Sequence, residues 1–272
     1  MNRKEIILKH VIKNGRGIEV GSSHNPIAPK KAGYNVQIID HLDKSSLIDK
    51  YKDHGVNIAN IEDVDFIWNG ESYSDLTGRT NFYDWIIASH VIEHTTDLIG
   101  FLNDCSNLLN ENGILSLAIP DKRYCFDHFR PVSGLSRIID NHLNNQKIHS
   151  AGAVIEYFLN ATSKDGKIAW NSSTTVNPQF SCVHNLDDAK QALNNIINNQ
   201  QFYDIHEWCF TPTHTLLILQ DLLNLELINL HIIEHTPTIG HEFFITLSKI
   251  KTTPQVERHN LLKQCKKEAW SF

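Results

Sequence analysis

The chain has 272 residues, with 25 Lys and Arg against 31 Asp and Glu, a formal net charge of −6, and it carries 16 His but a single Met. That length suits one or two domains with a sizeable buried core, and an apolar share of 41% is too high for a disordered chain and too low for a membrane protein. The acidic balance argues against a protein that grips nucleic acid through clustered positive charge. No apolar run approaches the ~20 residues that span a bilayer, so no transmembrane segment is expected. The N-terminus MNRKEIILKH lacks the apolar stretch and cleavage site of a signal peptide. Cys105, Cys125, Cys182, Cys209 and Cys265 are odd in number and form no CxxC pair. They read as reduced thiols, and a cytoplasmic protein is expected.

Taken in order, residues 15–23 (GRGIEVGSS) hold a short β-type run ending at Gly21, residues 34–39 a second ending in Asp40, and residues 64–68 a third. Residues 83–88 and 113–119 supply the fourth and fifth. Between these two, Leu98, Phe101, Leu102, Cys105, Leu108 and Leu109 recur at three- and four-residue steps, an amphipathic helix over 96–109. This alternation predicts an open parallel sheet covered on both faces. From 121 to about 210 the alternation stops, and polar, aromatic and His residues predict a segment lying over the ligand edge of the sheet. Thr211 as N-cap and Pro212 at the first helical position predict a helix to about Leu225. Strands over 227–233 and 242–247 with a turn at 236–240 follow, and Pro254 to Trp270 reads as a terminal helix with Lys266 and Lys267 in its last turns.

Ligands of an open α/β sheet bind beyond the carboxyl ends of the strands. Here those ends are residues 21–26, Asp40-His41, Asn69-Gly70-Glu71, 89–94 and 120–130. With Gly17-Ile18-Glu19-Val20-Gly21, the acidic Asp40, the run Tyr83-Asp84-Trp85-Ile86-Ile87-Ala88-Ser89-His90-Val91-Ile92-Glu93-His94 and Leu108-Leu109-Asn110-Glu111-Asn112-Gly113-Ile114-Leu115, the chain resembles class I S-adenosylmethionine-dependent methyltransferases. More narrowly, residues 64–130, including Pro120-Asp121-Lys122-Arg123-Tyr124-Cys125-Phe126-Asp127-His128-Phe129-Arg130, look like methyltransferase-domain proteins associated with glycosyltransferases in bacterial polysaccharide biosynthesis. The resemblance covers residues 15–130 well and extends loosely through Asp204-Ile205-His206-Glu207-Trp208 and Phe210-Thr211-Pro212. The chain departs from the family where Ser22-Ser23-His24-Asn25-Pro26, rather than further glycines, follow Gly21.

The resemblance implies an α/β fold, a Rossmann-like seven-stranded methyltransferase sheet with an acceptor-binding insertion after the fifth strand. The core would be 1–120 and 211–250, the insertion 121–210, and a C-terminal helix 251–272. Gly21 lets the backbone pass close to a ligand, and amides of the following turn (Ser22, Ser23, Asn25) suit the carboxylate of S-adenosylmethionine. Asp40 offers two oxygens to the ribose hydroxyls, with His41 beside it, and Asn69 can read the adenine edge with Trp68 against its face. Glu19 either orients the loop or meets the cofactor's ammonium group. Ser89, His90 and Glu93 complete the cofactor-binding set.

Two other readings fit parts of the pattern. A nicotinamide dehydrogenase needs G-x-G-x-x-G after the first strand, where only Gly21 stands. His90-Val91-Ile92-Glu93-His94 matches the H-x-x-E-H of inverted zinc peptidases, but that chemistry needs both histidines one turn apart on a helix. Here the five residues follow a buried strand, so no metal is expected at this motif, His90 and Glu93 are expected to face the cofactor, and His94 to brace the turn; a divalent ion beside the acceptor stays open, although no ligand spacing identifies one.

Methyl transfer to a hydroxyl needs an aligned nucleophile and a proton acceptor. Candidates beyond strands four and five are His206 and His184 as general base, with Asp121 and Asp127 as further catalytic groups. Arg123, Tyr124, Arg130 and Trp208 are expected to bind a hydroxylated, anionic sugar. Asp127 and Arg130, at i and i+3, can equally form a structural pair. Asp204, His206 and Trp208, spaced two apart, would share one face of a strand. His231, His235 and His241 read as structural, and His10, His54, His142, His149, His214 and His259 as surface or helix-face residues. The expected activity is O-methylation of a polysaccharide sugar or its precursor, with a glycosyltransferase as partner. A natural-product methyltransferase and a non-catalytic cofactor-binding partner of a glycosyltransferase stay open. A nucleic-acid methyltransferase is disfavoured, because no Asn/Asp-Pro-Pro-aromatic run follows the fourth strand.

Overall fold

A computed structural model describes residues 2–171, 177–251 and 256–269. Seven strands build the main sheet: β1 (Gly17–Val20), β2 (Val36–Asp40), β3 (Phe66–Ile67), β4 (Tyr83–Ser89), β5 (Leu109–Pro120), β8 (His231–Ile239) and β9 (Glu242–Ser248). A separate antiparallel pair, β6 (Thr162–Lys164) and β7 (Phe180–Cys182), lies between β5 and β8 in sequence. The main sheet has the order β3-β2-β1-β4-β5-β9-β8, parallel through β5, with β9 antiparallel to both β5 and β8. The Rossmann-like seven-stranded sheet is therefore present, and strand order reverses between β1 and β4.

Alternate residues serve opposite faces. On β5, Leu115, Leu117 and Ile119 join the larger core, and Ile114 and Ala118 the smaller one on the other side. The larger core is covered by α4 (Leu98–Leu108) and by α8 (Pro212–Asn224). The smaller is covered by α1 (Arg3–Ile7), where Ser116 Oγ on β5 donates to the Ile7 carbonyl at 2.8 Å. On β4, Trp85 and Ile87 face α1; a register irregularity between Tyr83 and Trp85 sends Tyr83 to the larger core.

Several expectations shift. The β1–β2 connection is a loop carrying only a single 3-10 turn, 30–32, where Pro26 and Pro29 punctuate it, while α2 (Lys44–Tyr51) and α3 (Tyr73–Thr77) form the next two crossovers. Residues 121–210 hold three helices beside the small sheet: α5 (Leu135–Leu143), α6 (Ala151–Asn160) and α7 (Leu186–Asn199). Residues 200–209 form no strand, so Asp204, His206 and Trp208 do not share a strand face. β8 starts later than expected and runs through 236–239, with the turn at Gly240-His241; Pro237 is tolerated because β8 is an edge strand with an irregular register there. Thr211 occupies the N-cap without a side-chain bond, and Glu268 of α9 (Arg258–Ala269) accepts from the Thr213 amide instead. Pro254 and Trp270 lie outside the described residues. All five cysteines are free. Among the described residues no helix is long and apolar enough to cross a membrane.

Gly17 shows how tightly β1 and β4 are set. A Cβ there would sit 2.0 Å from the Trp85 ring, which is fully buried and donates from Nε1 to the Ile12 carbonyl at 2.9 Å. Gly17→Ala is expected to cost about 1–3 kcal/mol through overpacking. Gly152→Ala, in α6 with only Ser150 Oγ at 3.9 Å, should gain about 0.5–1 kcal/mol from helix propensity. Denaturant unfolding of the two variants checks both signs.

Candidate active site

The carboxyl edge of the sheet carries two groupings. The first stands at the reversal of strand order. Gly21, after β1, has φ +62° and so tight a neighbour that a Cβ would meet Val91 Cγ2 at 2.9 Å. Ser23, two residues on, is also in the left-handed region, at φ +47°. Asp40, at the end of β2, binds this turn: Oδ2 accepts from the Ser23 amide at 3.1 Å, and Oδ1 from the His41 amide at 2.8 Å with His41 Nδ1 at 2.7 Å. The Asp40 side chain is only 1% exposed beneath a half-exposed His41. Oδ2, with one donor, keeps a second lone pair for a ligand. Ser22 is buried and Asn25 exposed on the same turn.

Glu19 does not face this cradle. Its Oε1 and Oε2 accept from the amides of Ile27 and Ala28 at 2.6 and 3.0 Å. Of the two expected roles, orienting the loop is the one its partners serve. Trp68 and Asn69 form an exposed rim, with Trp68 Nε1 donating to the Glu71 carbonyl at 2.7 Å and Asn69 Nδ2 to the Ile67 carbonyl at 3.2 Å.

The second grouping joins the end of β4 to the segment before α8. Ser89 Oγ accepts from Arg3 Nη2 at 2.7 Å, and Arg3 Nε donates to Glu242 Oε1 at 2.5 Å. His90, at φ +55°, places Nε2 3.0 Å from Glu242 Oε2. Burial alone would lower the His90 pKa; its bond to Glu242 and the Glu93 charge outweigh that and raise it. Glu93 is wholly buried rather than facing a cofactor, and its backbone carbonyl accepts from both the Glu207 and Trp208 amides, at 2.7 and 3.1 Å. That double anchor takes these amides out of any β-ladder, which explains the missing strand.

His206 is the centre of this grouping. Asp127 Oδ2 lies 2.5 Å from His206 Nδ1, and Arg130 Nη1 donates to both Asp127 Oδ1 and the His206 carbonyl, at 2.7 and 2.8 Å. Burial would raise the Asp127 pKa, but the facing His206 and Arg130 overcome it and hold the carboxyl at about 2. His94 stands edge-on to His206 with centroids 4.7 Å apart, its Nδ1 2.9 Å from Asp204 Oδ1, and Phe126 covers the ring from another side at 4.4 Å.

The remaining acceptor-side candidates part company. Arg130 has no exposed side-chain surface and is spent on Asp127, Glu156 and the His206 carbonyl, so it shapes His206 instead of reaching a ligand. Trp208 is fully buried in the larger core. Asp121 is also fully buried and is clamped by Arg123 and by Thr238 Oγ1 at 2.5 Å, and Arg123 reaches Glu268 of α9 at 3.7 Å while lying over the Tyr124 ring. His184 packs on Phe158 and Tyr157, one aromatic layer from Phe126 and His206. His149, expected at the surface, is buried with Nδ1 2.8 Å from Glu207 Oε2, and Arg137 completes that cluster. Arg3, Glu242 and Glu207 escaped the sequence reading because their partners lie far away in the chain.

No protein-family model matches the sequence, and no curated protein matches it. Solved structures similar to it include the PH0226 protein of Pyrococcus horikoshii OT3 (12% identity, 90% of this chain and 87% of that one, TM-score 0.45). A protein from Rhodobacter sphaeroides named for a proposed Zn-dependent alcohol dehydrogenase is similar at 11% identity over 91% and 88%, TM-score 0.46. A SAM-dependent methyltransferase from Aquifex aeolicus is similar at 10% identity over 91% and 90%, TM-score 0.43. At such identities none of these activities transfers to this chain by likeness.

Glu19 gives the site a pH signature. Burial pushes its carboxyl up to about 7, against the opposing pull of the Ile27 and Ala28 amides. The folded state thus holds this proton more tightly than the unfolded state does. The contribution is complete below about pH 4.5 and is lost as pH rises through about 7, on the order of 2–3 kcal/mol in all. Between pH 5 and pH 8 the wild-type melting temperature should fall more than that of Glu19→Gln, as thermal unfolding followed by circular dichroism would show.

Proposed function

We propose that the protein is an S-adenosylmethionine-dependent methyltransferase that O-methylates a sugar of a polysaccharide or its precursor. One observation carries the cofactor half: at the reversal of strand order, a turn too tight for any Cβ at Gly21 lies against Asp40, whose carboxylate already binds that turn. Crevices at such reversals are where open α/β sheets take nucleotides. The residues present fit the cofactor. The 22–25 turn suits its carboxylate, Asp40 its ribose hydroxyls, and Trp68 with Asn69 its adenine. When bound, S-adenosylmethionine supplies an electrophilic methyl group on a sulfonium sulfur.

Proton removal from the acceptor falls to the His206 centre, because Asp127 holds Nδ1 and leaves Nε2 toward the Glu93 carboxylate. An aromatic cluster on the insertion supports a sugar: His128 stacks on Phe180 at 5.0 Å and 12°, Phe129 and Trp170 adjoin it, and Phe129 is 56% exposed. Rings of this kind suit sugar faces. The enclosure of His206, 5% exposed, favours a second reading, a cofactor-binding partner without turnover.

Calorimetry should show one S-adenosylhomocysteine per chain, with Asp40→Ala weakening it about 10²- to 10⁴-fold for two hydrogen bonds to a charged group. His206→Ala should keep that affinity while methyl transfer to a glycan acceptor, read by mass spectrometry, slows about 10²- to 10⁴-fold. Absence of cofactor binding by the wild type sinks the proposal. Binding with no methylated glycan in cell fractions selects the non-catalytic reading.

A further inference from the structure

One buried group at the junction of sheet and insertion is left without a partner. Neither Oε1 nor Oε2 of Glu93 accepts a hydrogen bond among the described residues, although the side chain is 0% exposed. A buried carboxylate without donors is among the costlier features a fold can keep. What faces it is imidazole nitrogen. His206 Nε2 lies 3.9 Å and His90 Nδ1 3.5 Å from Oε1. With Asp127 Oδ2 as the acceptor at Nδ1, the neutral His206 ring presents its Nε2 lone pair toward the Glu93 oxygens. One donor atom from each of Glu93, His94 and His206 lies within 4.8 Å of the others.

Lone-pair groups converge in this way around a cation. Two atoms each ~2.0–2.2 Å from one ion lie up to about 4.2 Å apart, so Glu93 and His206, 3.9 Å apart, are already within span, and a donor atom of the partly exposed His94 lies within 4.8 Å of both. We propose that Glu93, His94 and His206 bind one divalent first-row metal ion of the Zn²⁺ or Mn²⁺ type. Two imidazoles and one carboxylate favour such ions over Mg²⁺ or Ca²⁺. Asp127 behind His206 and Asp204 beside His94 are the carboxylates that orient ligating histidines. The H-x-x-E-H run thus contributes its last two residues, joined by a histidine more than a hundred positions later, with no helix involved. Three protein ligands leave a coordination position open. With the ion bound, His206 Nε2 is a ligand and not a free base, so the acceptor hydroxyl would give up its proton at the open position instead; that use rests on the methyl-transfer reading, and the metal site itself does not.

Chelator-treated protein titrated with Zn²⁺ or Mn²⁺ should bind one ion per chain by calorimetry, and X-ray absorption of the zinc form should show two imidazoles in the coordination shell. Glu93→Gln and His94→Ala should each weaken binding at least about 10-fold, with unfolding midpoints confirming that the partly exposed His94→Ala site still folds. Failure to bind either ion below millimolar concentration overturns the proposal, as does binding that His94→Ala leaves unchanged or a coordination shell without imidazole. A chain that binds S-adenosylhomocysteine but no ion loses the metal site and keeps the methyl-transfer reading; one that binds the ion but no cofactor does the reverse.

Discussion

The Glu93 carbonyl, accepting from two successive amides of the 206–208 segment, holds the candidate site together. It fastens a strandless stretch from the far end of the insertion onto the turn after β4, the point where the sheet presents its ligand edge. Arg130 grips the same stretch from the other side through the His206 carbonyl, and Asp127 holds the His206 ring. Three separate chain segments therefore position one imidazole, and none of them could do so without the others.

The electrostatic pattern follows from that junction. Histidines set against carboxylates recur around it: His206 with Asp127, His94 with Asp204, His90 with Glu242, and His149 with Glu207. Buried ionic pairs add little net stability compared with apolar packing of similar volume. Their concentration at the carboxyl edge, beside cores of Leu, Ile and Phe that need no such pairs, fits a site kept for chemistry. Four of the sixteen histidines stand in these pairs, and beside them one carboxylate, Glu93, faces imidazole nitrogens without a hydrogen-bond donor.

Where local pattern sufficed, the fold was legible. Each of the first five strands is an apolar run closed by Gly, Asp or a polar turn, and α4 repeats its apolar residues at helical spacing. The helices of the insertion were not legible: α5 and α7 are mostly polar and carry narrow apolar faces, α5 packing on α4 and the larger core and α7 on α6. Pro237 misplaced the last turn because Pro inside a strand reads as a break, and only the edge position of β8 tolerates it. Among site residues, Gly21 and Asp40 were legible as strand ends. Trp208, Arg130 and Asp121 were misread because residue type and spacing cannot say whether a polar or aromatic side chain points to a ligand or is spent on a neighbour.

By itself, the sequence determined the strand succession, the parallel core and which short segments reach its ligand edge, since periodicity and turn residues act over a few positions. Only the tertiary structure decided that Thr238 closes on Asp121, that Arg130 stands behind His206, and that Glu93, His94 and His206 converge. These are meetings between segments up to a hundred or more residues apart. They are set by how the insertion folds back on the sheet, and no local spacing encodes that.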